Sequence, residues 1–188
     1  MCRVAVSDRA HWDRRYDRLG PSAAGSIGLP DVFTAHSDAF PTAGSALDVA
    51  CGQGRVSIWL AERGLDVRGL DISSVAVEQA AATARERGVA DRCRFDVVDL
   101  DRGLPPGPPV DVVVCHLFRD ERLDRAMVAR LRPGGLLAVA ALSEVGAAPG
   151  RYRVAPGKLT HAFADLQIVA AGEGSGTAWL LGRRTASC

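Results

Sequence analysis

The sequence predicts a single α/β domain of the doubly wound kind, a mostly parallel seven-stranded sheet with helices on its faces. Three observations predict it. Apolar runs of strand length recur near residues 46–50, 66–71, 92–98, 110–115 and 135–142, with two more near 166–171 and 177–183. The spacers between the first five suit helices, and five β–α alternations imply parallel strands joined by right-handed crossovers. The first run also ends in a glycine turn, Cys51-Gly52-Gln53-Gly54. The expected domain spans residues 1–188, with an N-terminal cap helix within 1–20 and the Rossmann-like core over 44–188.

Taken in order, residues 10–20 read as a short amphipathic helix, since Trp12, Tyr16 and Leu19 recur at i, i+4 and i+7. The first strand and its turn follow, then a strand ending at Asp71. Residues 73–87 suit a helix that serines cap at its start and Gly88 stops, with Val75, Gln79, Ala82 and Glu86 setting its pattern. Gly103-Leu104-Pro105-Pro106-Gly107-Pro108-Pro109 excludes a regular helix, because proline lacks the N–H donor and pushes the preceding residue to extended geometry. The third crossover is therefore short or irregular. Leu123, Met127 and Leu131 mark a helix over 120–131 that ends at Pro133-Gly134-Gly135, and residues 143–157 read as a glycine- and proline-punctuated loop, mobile over a site.

The chemistry sits in Ala46-Leu47-Asp48-Val49-Ala50-Cys51-Gly52-Gln53-Gly54, answered nineteen residues after Gly52 by Asp71. Glycines admit a ligand close to backbone, and an acid at the next strand end accepts hydrogen bonds from ribose hydroxyls. This holds a nucleoside. A pyrophosphate favours a helix N-terminus free of carboxylates, whereas Asp48 favours the ammonium and sulfonium of S-adenosylmethionine. Ser57, in place of the third glycine of a dinucleotide fingerprint, points the same way.

These residues resemble the class I S-adenosylmethionine-dependent methyltransferases, and within them the small tellurite-resistance-like and thiopurine-like branch. Besides the first strand and turn, the resemblance rests on Leu70-Asp71-Ile72-Ser73, on Asp99-Leu100 and on Leu131-Arg132-Pro133-Gly134-Gly135, and it spans roughly His11 to Arg183. Ala50 stands where many members carry a glycine. The resemblance implies that Asp48, Ala50, Gly52 and Gly54 lie at the methionine end of the cofactor and Asp71 at its ribose, with Ile72 on the adenine face. Asp99 then meets the adenine amine with Leu100 beside it, and a Trp12-x-x-x-Tyr16 helix covers the site. It also implies that the residues after Cys51 and after Cys115 face one another across the crevice. His116, at the end of the fourth strand, is the candidate for a catalytic base or a wall against the cofactor, and Glu144 is the second candidate. Structural roles stand beside these. Asp48 and Asp71 suit capping of turns or helices, Asp99 suits a solvated loop, and Asp96 or Asp101 is an alternative to Asp99.

Composition narrows the function. A chain of 188 residues with 47% hydrophobic residues and net charge +1 gives no electrostatic bias toward nucleic acid or membrane, no apolar run approaches the length needed to span a bilayer, and residues 1–7 lack a signal-peptide core, so a cytoplasmic protein is expected. Five scattered cysteines form neither a disulfide framework nor a zinc motif, and a metal is not expected at the site. The fourth strand ends without the Asn/Asp-Pro-Pro-Tyr of base-methylating enzymes, which leaves a small-molecule acceptor attacked at O, N, S or a heavier chalcogen. The alternatives are a catalytically inactive S-adenosylmethionine-binding regulator and an NAD-dependent oxidoreductase.

Overall fold

The computed structural model describes residues 2–21, 27–150 and 152–185, with side chains from Asp8 onward. Two compact units divide within the proline-rich segment, one over residues 1–105 and one over 106–188. The first contains α1 (Cys2–Leu19), α2 (Asp31–Thr34), β1 (Gly44–Val49), α3 (Arg55–Glu62), β2 (Leu65–Asp71), α4 (Ser74–Glu86) and β3 (Cys93–Val97). Its three strands are parallel with β2 in the middle, Val49 standing beside Leu70 and Leu70 beside Asp96. The strand ends Val49 and Asp71 thus share one edge, from which the glycine turn departs.

α4 begins where the sequence indicates. Ser73, extended at φ −84° and ψ 119°, accepts the Ala76 N–H at its Oγ and so satisfies one of the helix's orphan donors. The helix runs over the 73–87 span that the sequence suits, and its buried face is Ala76, Ala80, Thr83 and Ala84. Small residues win that face because β3 and α3 approach closely there. α1 is longer than expected, and Trp12, Tyr16 and Leu19 do not form a simple buried stripe: Trp12 is 38% and Leu19 is 61% exposed. Phe33 and Phe40 close the core beneath β1, with Phe40 edge-on to Trp59 at 5.6 Å and the Arg63 guanidinium 4.8 Å from the Trp59 ring.

The second unit contains β4 (Val110–His116), α5 (Asp124–Arg130), β5 (Leu131–Leu142), α6 (Lys158–Ala162), β6 (Gln167–Gly174) and β7 (Thr177–Arg183). Within it β4 pairs parallel with β5, β7 pairs antiparallel with β5, and β6 adds antiparallel to β7. α5 ends at Arg130 with Leu131 as its C-cap, about where the sequence ends the helix, and Leu131-Arg132-Pro133-Gly134-Gly135, expected to lie between helix and strand, already belong to β5. The register jumps from Val110 beside Leu131 to Val112 beside Leu136, and Gly134 N–H donates to the Arg184 carbonyl at 2.6 Å. The loop after β5, expected to be mobile, is tied to the β6–β7 turn: Ser143 N–H and Arg153 Nη1 both donate to the Gly176 carbonyl, at 2.8 and 3.0 Å. Seven strands, with three of the five pairings named here parallel, give the mostly parallel α/β pattern that the sequence predicts. Among the described residues no helix is long and apolar enough to cross a membrane.

Candidate active site

The site is built on the turn after β1. Ala50, Gly52 and Gly54 all have positive φ, at +57°, +53° and +72°. Cys51 N–H donates to the Leu70 carbonyl at 2.9 Å and Gly54 N–H to the Cys51 carbonyl at 3.0 Å, which folds the turn back against β2. Asp71 then locks it. Its Oδ2 accepts the Gly52 N–H at 2.8 Å and its Oδ1 accepts the Ser73 N–H at 2.9 Å. A carboxylate oxygen has two acceptor directions, so both oxygens retain capacity for a diol. Burial pushes the Asp71 carboxyl above its ordinary range, against the pull of the Ser73, Gly52 and Ile72 amides.

The two glycines serve different ends. A Cβ on Gly54 would lie 2.9 Å from Ala80 Cβ and 3.0 Å from the Phe95 ring, so packing of α4 and β3 and the positive φ account for it. A Cβ on Gly52 would lie 2.8 Å from the Tyr16 hydroxyl. α1 therefore seats its tyrosine directly on the turn. Burial first, then the charge of Asp71, raises the Tyr16 phenol above its ordinary value, so it stays a protonated donor. Trp12 stacks on Tyr16 with centroids 5.9 Å apart, and the Arg15 guanidinium lies 5.4 Å from the Trp12 ring centre.

Asp48 holds a side-chain hydroxyl, and α3 has no side-chain cap hydrogen bond. Asp48 is 2% exposed and accepts the Ser57 hydroxyl at 2.6 Å, which ties β1 to the start of α3, where the N-cap Gly54 has no side chain to offer. Burial raises its carboxyl to about 7, opposed by the Ser57 hydroxyl and reinforced by Asp71. Ser57 was legible only as a missing glycine. Its partnership with an acid nine residues earlier needs the turn to be folded. Burial, and then the charges of Asp48 and Asp71, likewise push the Cys51 thiol up.

Asp99 accepts the Asp101 N–H at 3.1 Å and lies 3.4 Å from Arg102, so it caps the single turn 100–102, with Leu100 buried beneath. Asp96 is paired with Arg68 at 2.7 Å and Arg94 at 3.1 Å. Asp101 is exposed. Ile72, half-buried, directly follows Asp71.

In the second unit His116 closes β4 in register with Ala140, and Leu117 turns the chain with φ +57° as its N–H donates to the Ala140 carbonyl at 2.8 Å. Glu144 lies two residues beyond β5, its N–H bonded to the Val154 carbonyl at 3.0 Å. Both are half-buried at the carboxyl end of the β4–β5 pair, where open α/β sheets bind ligands. Sequence reasoning missed Arg119, three residues past β4. It holds Asp124 bidentately, with one bond at 2.7 Å, and fixes the entry into α5. In the loop after β5, Tyr152 is exposed and Arg153 donates to the Ser143 and Gly176 carbonyls.

The donor set of the first unit fits a nucleoside cofactor: a buried acid at a strand end, a turn whose Gly52 tolerates no side chain, and an aromatic pair above it. Comparison with known proteins agrees. Residues 46–135 match the family model described as a methyltransferase domain. The chain is 34% identical over 100 residues to methyltransferase GfsG of Streptomyces halstedii, covering 50% of this chain and 36% of the relative. It is 31% identical over 131 residues to ribosomal RNA small subunit methyltransferase C of Alcanivorax borkumensis, covering 64% of this chain and 38% of the relative. The chain thus spans little more than a third of the length of these curated relatives. Magnesium protoporphyrin IX methyltransferase from Synechocystis, solved with bound S-adenosylhomocysteine, superposes with a TM-score of 0.72 at 19% identity, over 96% of this chain and 99% of that one. The chain therefore has the Rossmann-like methyltransferase fold, and its residues 46–135 match a methyltransferase domain.

Proposed function

We propose that this chain transfers a methyl group from S-adenosylmethionine to a small-molecule acceptor, attacked at O, N, S or a heavier chalcogen, and that residues 1–188 act as one domain. The observation that carries the reading is the Asp71 carboxylate, fixed by the Gly52 and Ser73 amides at 2.8 and 2.9 Å beside a turn that matches a methyltransferase domain. When bound, the cofactor supplies an electrophilic methyl on a sulfonium. The chain's own residues bind, orient and exclude water.

Asp71 accepts from the ribose hydroxyls, Ile72 and Leu100 flank the adenine, and Asp99 accepts from its amine. Gly52 and Gly54, with Ala50, let the turn approach the methionine end, where Asp48 adds a carboxyl that favours positive charge once ionised. Tyr16 and Trp12 cover the site. For a hydroxyl acceptor a proton must leave the oxygen, and His116, with Glu144 second, is the residue type and position to take it. No metal is required in this scheme. Placement in the tellurite-resistance-like and thiopurine-like branch is supported by the Trp12-x-x-x-Tyr16 helix seated on the glycine turn.

Transfer of labelled methyl to a panel of phenols, thiols, amines and selenite, beside ribosomal and transfer RNA, tests the reading with and without EDTA. Transfer to a small molecule that survives EDTA is expected. Transfer to RNA alone overturns the acceptor class, and binding of S-adenosylmethionine without transfer to anything favours the regulatory alternative.

A further inference from the structure

Asp71 reaches α1 by two routes. Next to the Gly52 amide that Oδ2 fixes, Gln53 donates from Nε2 to the Gly20 carbonyl just past the end of α1 at 2.6 Å, and to Gln79 Oε1 at 2.7 Å. Gln79 in turn donates to the Tyr16 carbonyl at 3.3 Å. On the other side, Ser73, whose amide Oδ1 fixes, donates from Oγ to Asp13 Oδ1 at 2.6 Å. Val75 N–H also points at Asp13 Oδ1, at 3.4 Å. α1 is thus fastened near its middle and at its end, by residues adjacent to, or identical with, the two whose amides a single carboxylate holds.

These fastenings matter because, among the described residues of α1, the large apolar side chains Trp12 and Leu19 are exposed. Leu19 is 61% and Trp12 38% exposed, whereas side-chain amides reach both carbonyls at the helix end: Gln79 adds a second donor to the Tyr16 carbonyl, which already accepts the Gly20 N–H at 3.1 Å, and Gln53 donates to the Gly20 carbonyl. The Ser73–Asp13 bond is charge-assisted and is the stronger kind. Their joint effect is to set the Tyr16 hydroxyl over Gly52.

We propose that Gln53 and Ser73 are positioning residues that clasp α1 over the glycine turn, so that engagement of a ligand at Asp71 and ordering of α1 are one coupled event. The ligand-linked half rests on the cofactor reading above, while the clasp rests on the hydrogen bonds alone. The coupling needs no displacement of the sheet. A ligand that stiffens the Gly52 and Ser73 amides stiffens the anchors of α1, and an ordered α1 in turn retains the ligand and excludes water.

The test is hydrogen exchange at residues 10–19, with and without S-adenosylhomocysteine, in the wild type, Gln53→Glu, Asp13→Ala and Asp13→Asn, with calorimetry of S-adenosylhomocysteine on each. Gln53→Glu keeps the shape and loses both donors; Asp13→Asn keeps an acceptor oxygen for Ser73. Without ligand, exchange at 10–19 should quicken about tenfold in Gln53→Glu and Asp13→Ala and stay near wild type in Asp13→Asn, with β1 and β2 unchanged in all as the check on folding. With ligand, the wild type should gain protection at 10–19, and the first two variants should bind about tenfold more weakly. Unchanged exchange at 10–19 in both overturns the clasp, and unchanged affinity in both overturns the coupling. Failure of the wild type to bind S-adenosylhomocysteine overturns the cofactor reading and the coupling with it, while the ligand-free exchange still decides the clasp.

Discussion

Ala50 stands at φ +57°, a backbone region in which a Cβ costs about 1–2 kcal/mol. Glycine there relieves the strain and forfeits some chain entropy, so Ala50→Gly should stabilise by roughly 0.5–1 kcal/mol, read as a higher urea midpoint. A lower midpoint would show that the alanine methyl makes a compensating contact. Asp48 carries a second consequence at this scale. Its carboxyl is raised from 3.8 to about 7, chiefly by burial, so the folded protein holds a proton there that the unfolded chain releases. That contribution to stability is fully present below about pH 4 and is lost as the pH rises to about 7. Against Asp48→Asn, which keeps an acceptor for Ser57, the wild type should therefore lose stability across that window, and a difference that stays flat with pH would contradict a proton held on Asp48. Asp71 and Gly52 were legible because their pattern is local: a strand, a turn and an acid at the next strand end. The Asp48–Ser57 bond and the seating of Tyr16 on Gly52 were not, because both join groups that only the folded turn brings within reach.

Among the elements, all seven strands lie within a few residues of where the apolar runs place them, most plainly β4 and β5, whose burial on both faces leaves near-continuous apolar runs. The differences fall where packing overrides pattern. β5 begins at Leu131, four residues before its apolar run, because Leu131 pairs with Val110 and Gly134 and Gly135 bond to Arg184. The start of α3 gives a direct test. Ser57→Ala leaves the Asp48 carboxyl buried without its hydroxyl and should destabilise by about 1–3 kcal/mol, measured as the shift in denaturant midpoint. α1 gives the opposite kind of result. Removal of the first nineteen residues takes away no strand, so circular dichroism should still report a folded sheet, while affinity for S-adenosylhomocysteine falls. Loss of thermal stability with affinity intact would leave Trp12 and Tyr16 as packing residues only.

At the scale of the whole molecule, the proposed methyl transfer depends on one acid, Asp71, and the turn it fixes. His116→Ala should bind S-adenosylhomocysteine as tightly as the wild type within a few-fold and lose turnover, most severely on a hydroxyl acceptor. Equal turnover would transfer the proton role to Glu144. The most direct measurement of the central claim is calorimetric titration of the wild type and of Asp71→Ala with S-adenosylhomocysteine and, separately, with NAD. The account predicts that the wild type binds S-adenosylhomocysteine and not NAD, and that Asp71→Ala binds it more weakly by about 1.5–3 kcal/mol, the worth of hydrogen bonds to a charged group. Binding of NAD in its place, or an Asp71→Ala variant with undiminished affinity, would contradict it.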